Sequence, residues 1–202
     1  MIISDQHRFV FVHIQKTGGT TIDRLVLAQL DPARVRRSPS RHLPLRAIHR
    51  QFPDVRDYWA FGFVRNPWDR MVSWWSMIDE WRRDVAEKGH SPRAANAMWA
   101  EVAQYRDFEE FVFRGPDASP RLSRPQIDYL QVDGRRADFI GRTENLGADA
   151  ATALERFGLS AEGIGHHNPS PRTGYREYYS VAARDRVAEV FAKDLDAFGY
   201  TF

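Results

Sequence analysis

The sequence predicts an α/β fold in which a central parallel sheet is flanked by helices. Residues 8–14 and 58–64 are short, nearly continuous apolar runs, as expected of strands buried on both faces. Each run leads into a helix-starting pattern rather than a hairpin turn. Strands that alternate with helices pair in parallel through crossover connections. At 202 residues the chain is long enough to bury a proper core, and positions 1–202 read as one domain.

The elements follow in order. After the first strand, residues 20–30 form an amphipathic helix with Ile22, Leu25, Val26 and Leu30 on one side, and Asp31-Pro32 ends it. The basic, serine- and proline-containing stretch 33–42 reads as a loop. Residues 44–52 form a second helix, with Pro44 suited to its first turn. The strand at 58–64 ends on Arg65. Asn66-Pro67 then supplies an N-cap and a first helical residue, with Asp69 in the first turn. This helix carries Met71, Val72, Trp74, Trp75, Ile78 and Trp81. Beyond it the chain is less regular. A helical piece at 107–113 lies among interruptions at Gly89, Pro92, Gly115, Pro116, Pro120 and Pro125. Residues 138–141 are a third strand, and helices near 145–157 and 178–198 close the chain.

Composition narrows the function classes. Lysine and arginine total 29 against 27 acidic residues, a net charge of +2, which argues against a general nucleic-acid binder. Cysteine is absent, which removes thiolate metal sites, cysteine nucleophiles and disulfides together. The chain starts on a strand pattern without a signal-like leader, and no apolar run approaches a membrane span. A cytoplasmic protein is expected.

The chemistry concentrates at Val10-Phe-Val-His-Ile-Gln-Lys-Thr-Gly-Gly-Thr-Thr21. A buried strand that breaks into a glycine turn and re-enters as a helix aims backbone N–H groups at one spot, where helix polarity favours an anion. Lys16 adds a full charge. In a parallel sheet, ligands bind at the carboxyl ends of the strands. Lys16 and Arg65 each follow a strand, so both belong to that edge. The strict nucleotide-triphosphatase pattern places its lysine after the glycines. Here Lys16 precedes Gly18-Gly19. The second strand ends in Arg65, where a magnesium-holding acid would stand. A metal-free anion site is the expected reading.

His13-Ile-Gln-Lys-Thr-Gly-Gly-Thr20 resembles the 5′-phosphosulfate loop of sulfotransferases that use 3′-phosphoadenosine 5′-phosphosulfate (PAPS), in the branch that includes carbohydrate O-sulfotransferases. The usual form there is H-I-P-K-T-G-G-T, so Gln15 replaces a proline. Arg65-Asn-Pro-Trp-Asp-Arg-Met-Val-Ser73 resembles the 3′-phosphate segment, R-N-P-x-D-R-x-x-S, at every defined position. Residues 139–146 and 168–179 resemble two further family stretches, so the likeness spans nearly the whole chain. It implies a three-layer, P-loop-NTPase-like fold, PAPS as donor, the desulfated nucleotide PAP as product, and no metal.

By the same resemblance, Lys16 would meet the charge on the departing oxygen. The backbone from Thr17 through Gly18 and Gly19 to Thr21, with the Thr20 and Thr21 hydroxyls, would grip the 5′-phosphate. Arg65 and Ser73 would hold the 3′-phosphate, with Arg70 assisting or pairing with Asp69 or Asp79. Arg41-His42-Leu-Pro resembles the region that carries a catalytic histidine. His42 is therefore the expected base, a solvated loop histidine being the plain alternative. His13 is expected to hold the loop. Arg142, Glu144 and Asn145 would brace the nucleotide site, and Asn168, Ser170 and Arg172 would lie in a loop closing over it. His49, His90 and the pair His166-His167 carry no ligand signal. A helical, tryptophan-rich region at about 74–136 would shape the acceptor site for a carbohydrate or small alcohol, although tryptophans at helical spacing equally suit a core. A nucleotide-dependent kinase and a non-catalytic nucleotide-binding protein are the alternatives.

Overall fold

In a computed structural model the described residues are 1–89, 97–164 and 174–202. Along the chain lie β1 (Ile2–Ser4), β2 (Phe9–Val12), α1 (Gly19–Leu27), β3 (Val35–Arg36), α2 (Leu45–Gln51), β4 (Trp59–Val64) and α3 (Pro67–Lys88). There follow α4 (Ala97–Val102), α5 (Phe108–Ala118), α6 (Pro120–Ser123), β5 (Gln131–Val132), β6 (Arg135–Arg136), β7 (Phe139–Arg142), α7 (Leu146–Glu155), α8 (Val181–Val190) and α9 (Ala192–Phe198). The chain divides into two compact units. One is Met1–Arg65 with Gln126–Pro171, and the other is Asn66–Pro125 with Arg172–Phe202.

The first unit is built on a five-stranded sheet in the order β3-β1-β2-β4-β7, flanked by helices. The strands foreseen from sequence, β2, β4 and β7, pair in parallel, with Phe11 opposite Phe61 and Gly62 opposite Ile140. Two further strands widen the sheet on one side. β1 pairs antiparallel with both β2 and β3, so the expected loop 33–42 contains a strand. A two-residue strand has no legible period, and pairing with β1 is what makes β3 a strand. Alternation then sorts the faces. Phe9, Phe11, Phe61 and Phe63 pack against Ile22 and Val26 of α1 and Ala150, Ala153 and Leu154 of α7. Each fully buried Phe contributes roughly 2 kcal/mol of apolar transfer, an upper figure because denatured chains already bury some surface. α1 stops at Leu27, short of the expected position 30.

The second unit is helical. Asn66 caps α3 as expected, its Oδ1 accepting the Trp68 N–H at 3.1 Å, and its side-chain amide donates to the Thr201 carbonyl at 2.9 Å. Trp68, Met71, Val72, Trp74 and Ile78 recur every three or four positions. They join Phe111 and Val112 of α5 and Val187 and Phe191 of α8 in one core. α5 runs through Gly115 and Pro116, where the sequence predicts interruptions. Asp107 caps α5 by accepting the Glu110 N–H at 2.8 Å. The closing helix foreseen at 178–198 is two helices, broken at Phe191.

Candidate functional site

The strand-to-helix turn after β2 is made by two left-handed residues, Lys16 at φ 67° and Gly18 at φ 77°. Gly18 is the N-cap of α1 and Gly19 its first residue. In the first turn of α1 the Thr21 N–H donates to the Gly18 carbonyl at 2.9 Å, while the Gly19 and Thr20 N–H groups make no hydrogen bond among the described residues. Thr17 is buried and turns its hydroxyl back onto the Ile14 carbonyl at 3.1 Å, so only its backbone faces outward. Thr20 is exposed and Thr21 half-buried, and neither hydroxyl makes a hydrogen bond among the described residues.

Arg65 follows β4 at the same sheet edge, and its Nη1 donates to the Lys16 carbonyl at 3.3 Å. The Arg65 guanidinium therefore lies against the Lys16 backbone. Fully buried Gln126 fixes the Arg65 backbone from both sides. Its Oε1 accepts the Arg65 N–H at 2.9 Å and its amide donates to the Arg65 carbonyl at 2.8 Å. Gln15, the departure from the family pattern, is also buried, and its Oε1 accepts the Tyr129 hydroxyl at 3.1 Å. A ring that would stiffen the turn is thus replaced by a side-chain tether to a distant residue. Neither Gln126 nor Tyr129 announces itself in the sequence, since the partners lie 61 and 114 positions away.

A polar relay stands behind the loop. His13 Nδ1 lies 3.1 Å from Asp23 Oδ2, which also receives Arg41 Nη2 at 2.6 Å. These contacts outweigh burial and hold the Asp23 carboxyl down at about 2. Burial lowers His13 as well, so the imidazole is neutral beside a carboxylate that can only accept. Nδ1 of His13 therefore carries the hydrogen. The same argument applies to His42. Its Nδ1 is 2.9 Å from the His13 carbonyl and must be the donor, which leaves Nε2 with the lone pair. Burial pushes His42 down to about 4. It is a half-buried, tethered and neutral imidazole, not a freely solvated one. The two rings meet edge to face at 4.6 Å between centroids.

Gly19 ties the relay to the loop. A Cβ there would sit 2.2 Å from His13 Cδ2 and 2.4 Å from His13 Nε2. Gly19→Ala is expected to drive His13 off Asp23 and cost about 1–3 kcal/mol of stability, read from denaturant unfolding. An unchanged midpoint would mean that the ring yields freely.

The remaining expected residues fall as follows. Ser73 is buried on α3 in the second unit, its hydroxyl without a hydrogen bond among the described residues. Arg70 is buried there too, 3.5 Å from the Arg124 carbonyl and over the Phe191 ring. Thr143 donates its hydroxyl to the Val64 carbonyl at 3.0 Å. Asp149 takes the Arg142 N–H at 2.6 Å and the Asn145 amide at 2.8 Å, so the stretch after β7 is braced internally. Trp74 and Trp81 are buried, Trp74 within the core of the second unit, while Trp75 and Trp99 are half-exposed at its margin. His90, His166, His167, Asn168, Ser170 and Arg172 lie outside the described residues. Among the described residues no cluster of three or more His, Asp or Glu side chains suits a metal, and no helix is long and apolar enough to cross a membrane.

A family model described as "Sulfotransferase family" matches residues 1–201. No curated protein matches the chain.

Proposed function

The chain belongs to the sulfotransferase family, and on that footing we propose that it moves a sulfuryl group from PAPS to a hydroxyl of a carbohydrate or small alcohol. The observation that carries the reading is the pairing of Lys16 with Arg65. Two cationic residues, Lys16 in the glycine turn four positions after β2 and Arg65 directly after β4, meet at one sheet edge, and the second occupies the place of a metal-holding acid. An anion-binding edge of this kind suits a donor with phosphates at two positions.

The acceptor oxygen attacks sulfur in line, and the bond from sulfur to the bridging oxygen of the 5′-phosphate breaks. PAP leaves with the electron pair. Lys16 neutralises the charge that grows on that oxygen, and the backbone from Thr17 to Thr21, with the Thr20 and Thr21 hydroxyls, holds the 5′-phosphate. The sequence resemblance assigns the 3′-phosphate to Arg65 and Ser73, and a guanidinium fork matches paired phosphate oxygens. The acceptor proton passes to Nε2 of His42. Residues 74–136 shape the acceptor site, in which Trp75 and Trp99 are half-buried whereas Trp74 and Trp81 are buried.

Thermal unfolding in the presence of PAP, and separately of ATP with magnesium, tests this reading. PAP at a hundred times its dissociation constant should stabilise the fold by about 2.7 kcal/mol. Labelled sulfate from PAPS should then appear on a sugar or alcohol. Stabilisation by ATP with magnesium but not by PAP would make the protein a kinase-like nucleotide enzyme instead. PAP binding without transfer to any acceptor would leave a non-catalytic binder.

A further inference from the structure

A cavity of about 900 Å³ opens in the first unit at the opposite edge of the sheet. It is bordered where the three parallel strands begin, by Arg8 ahead of β2, by Tyr58 and Trp59 at the start of β4, and by Asp138 ahead of β7. β2 and β4 span four and six residues. At about 3.3 Å per residue they separate this edge from the Lys16 turn by roughly 13–20 Å.

The charge around this cavity is lopsided. Seven arginines and three aspartates line it, a surplus of four, whereas the whole chain has a surplus of two. The rest of the chain is therefore net acidic. Two of the three acids are engaged: Asp138 accepts the Ala60 N–H at 2.7 Å, and Asp133 faces Arg46 at 3.5 Å. Arg50, Arg56 and Arg135 have no acidic partner among the described residues. Arg8 and Arg156 lie over the rings of Tyr58 and Trp59, at 4.7 and 5.3 Å from the centroids. Cations crowded round one concavity repel each other, and an anion inside it relieves that repulsion.

Local backbone geometry holds the arrangement. Arg8 sits at φ 52°, a conformation costing an ordinary residue about 1 kcal/mol, and its carbonyl accepts the Trp59 N–H at 3.0 Å. Asp133 and Gly134, at φ 48° and 79°, make the tight turn between β5 and β6 that presents Arg135.

We propose that this cavity is a second anion site, separate from the Lys16 edge, which binds a small molecule bearing two or more phosphate or sulfate groups. Its volume suits a ligand of nucleotide or disaccharide size. Its unpaired guanidinium groups come from α2, from the segment before β4 and from the β5–β6 hairpin, so a ligand with several anionic groups can engage more than one. Planar guanidinium forks suit phosphate and sulfate alike.

Calorimetric titration with inorganic tripolyphosphate and with a heparin-derived sulfated disaccharide tests the site and separates its two ligand sources. At least one probe should bind, and saturating PAP should not displace it. Replacing Arg50, Arg56 and Arg135 together by serine should weaken binding at least tenfold, with the melting temperature unchanged because these side chains are exposed. Arg135→Glu alone should also weaken it. Binding of neither probe, displacement by PAP, or affinity untouched by both variants would overturn the proposal.

Discussion

Lys16→Ala should lower kcat by roughly 10²–10³-fold while changing PAP affinity far less. The asymmetry follows from when the charge appears. The bridging oxygen of PAPS gains its negative charge only as the bond to sulfur breaks, so a cation placed there acts mainly on the transition state. Ground-state phosphate binding is shared with the α1 N–H groups, the threonine hydroxyls and Arg65, which the substitution leaves in place. Lys16 is also set by its backbone: its φ of 67° and the Arg65 contact to its carbonyl fix where the side chain departs. Turnover with labelled donor and a PAP titration on the same preparation check this. Unchanged kcat, or a PAP affinity that falls as far as kcat, would remove Lys16 from the chemical step.

His42→Ala should cost about 10²–10⁴-fold in kcat if Nε2 takes the acceptor proton. The pH profile gives a sharper test. Burial pushes His42 down from 6.5 to about 4, so its basic, neutral form persists well below neutrality. The acid limb of kcat/KM, which reports the free enzyme, should lie near pH 4 rather than near 6.5. An anionic donor bound beside the ring favours the imidazolium and raises its pKa. The limb of kcat, which reports the loaded enzyme, should therefore lie at higher pH than that of kcat/KM. A kcat/KM limb near 6.5, surviving in His42→Ala, would assign the proton to another group. Circular dichroism at each pH separates titration of the base from unfolding.

Much of this was legible in the residues alone. The apolar runs at 8–14 and 58–64, the glycine turn and the Asn66-Pro67 helix start are local signals, and each produced its element within a few positions. The edge shared by Lys16 and Arg65 followed from parallel pairing, which the β2–β4 register bears out. Elsewhere tertiary pairing overrides weak local cues. β3 is a strand only because β1 lies beside it, and α5 continues through Gly115-Pro116 because its face is packed. The Asp133-Gly134 pair is a local hairpin signal, and it makes the turn between β5 and β6.

The family, the parallel core and the cations at its carboxyl edge are written in local stretches of sequence, because strands, turns and helix caps are encoded within a few neighbouring residues. What holds those cations, and what keeps the neighbouring histidines neutral, comes from contacts made in space. Gln126 gripping Arg65, Tyr129 tethering Gln15, and the run from Arg41 and Asp23 through His13 to His42 join residues from different elements. The arginine-lined cavity likewise gathers side chains from separate segments around the far edge of the sheet. Burial and electrostatic fields depend on distance in space, and no propensity or period along the chain records that distance.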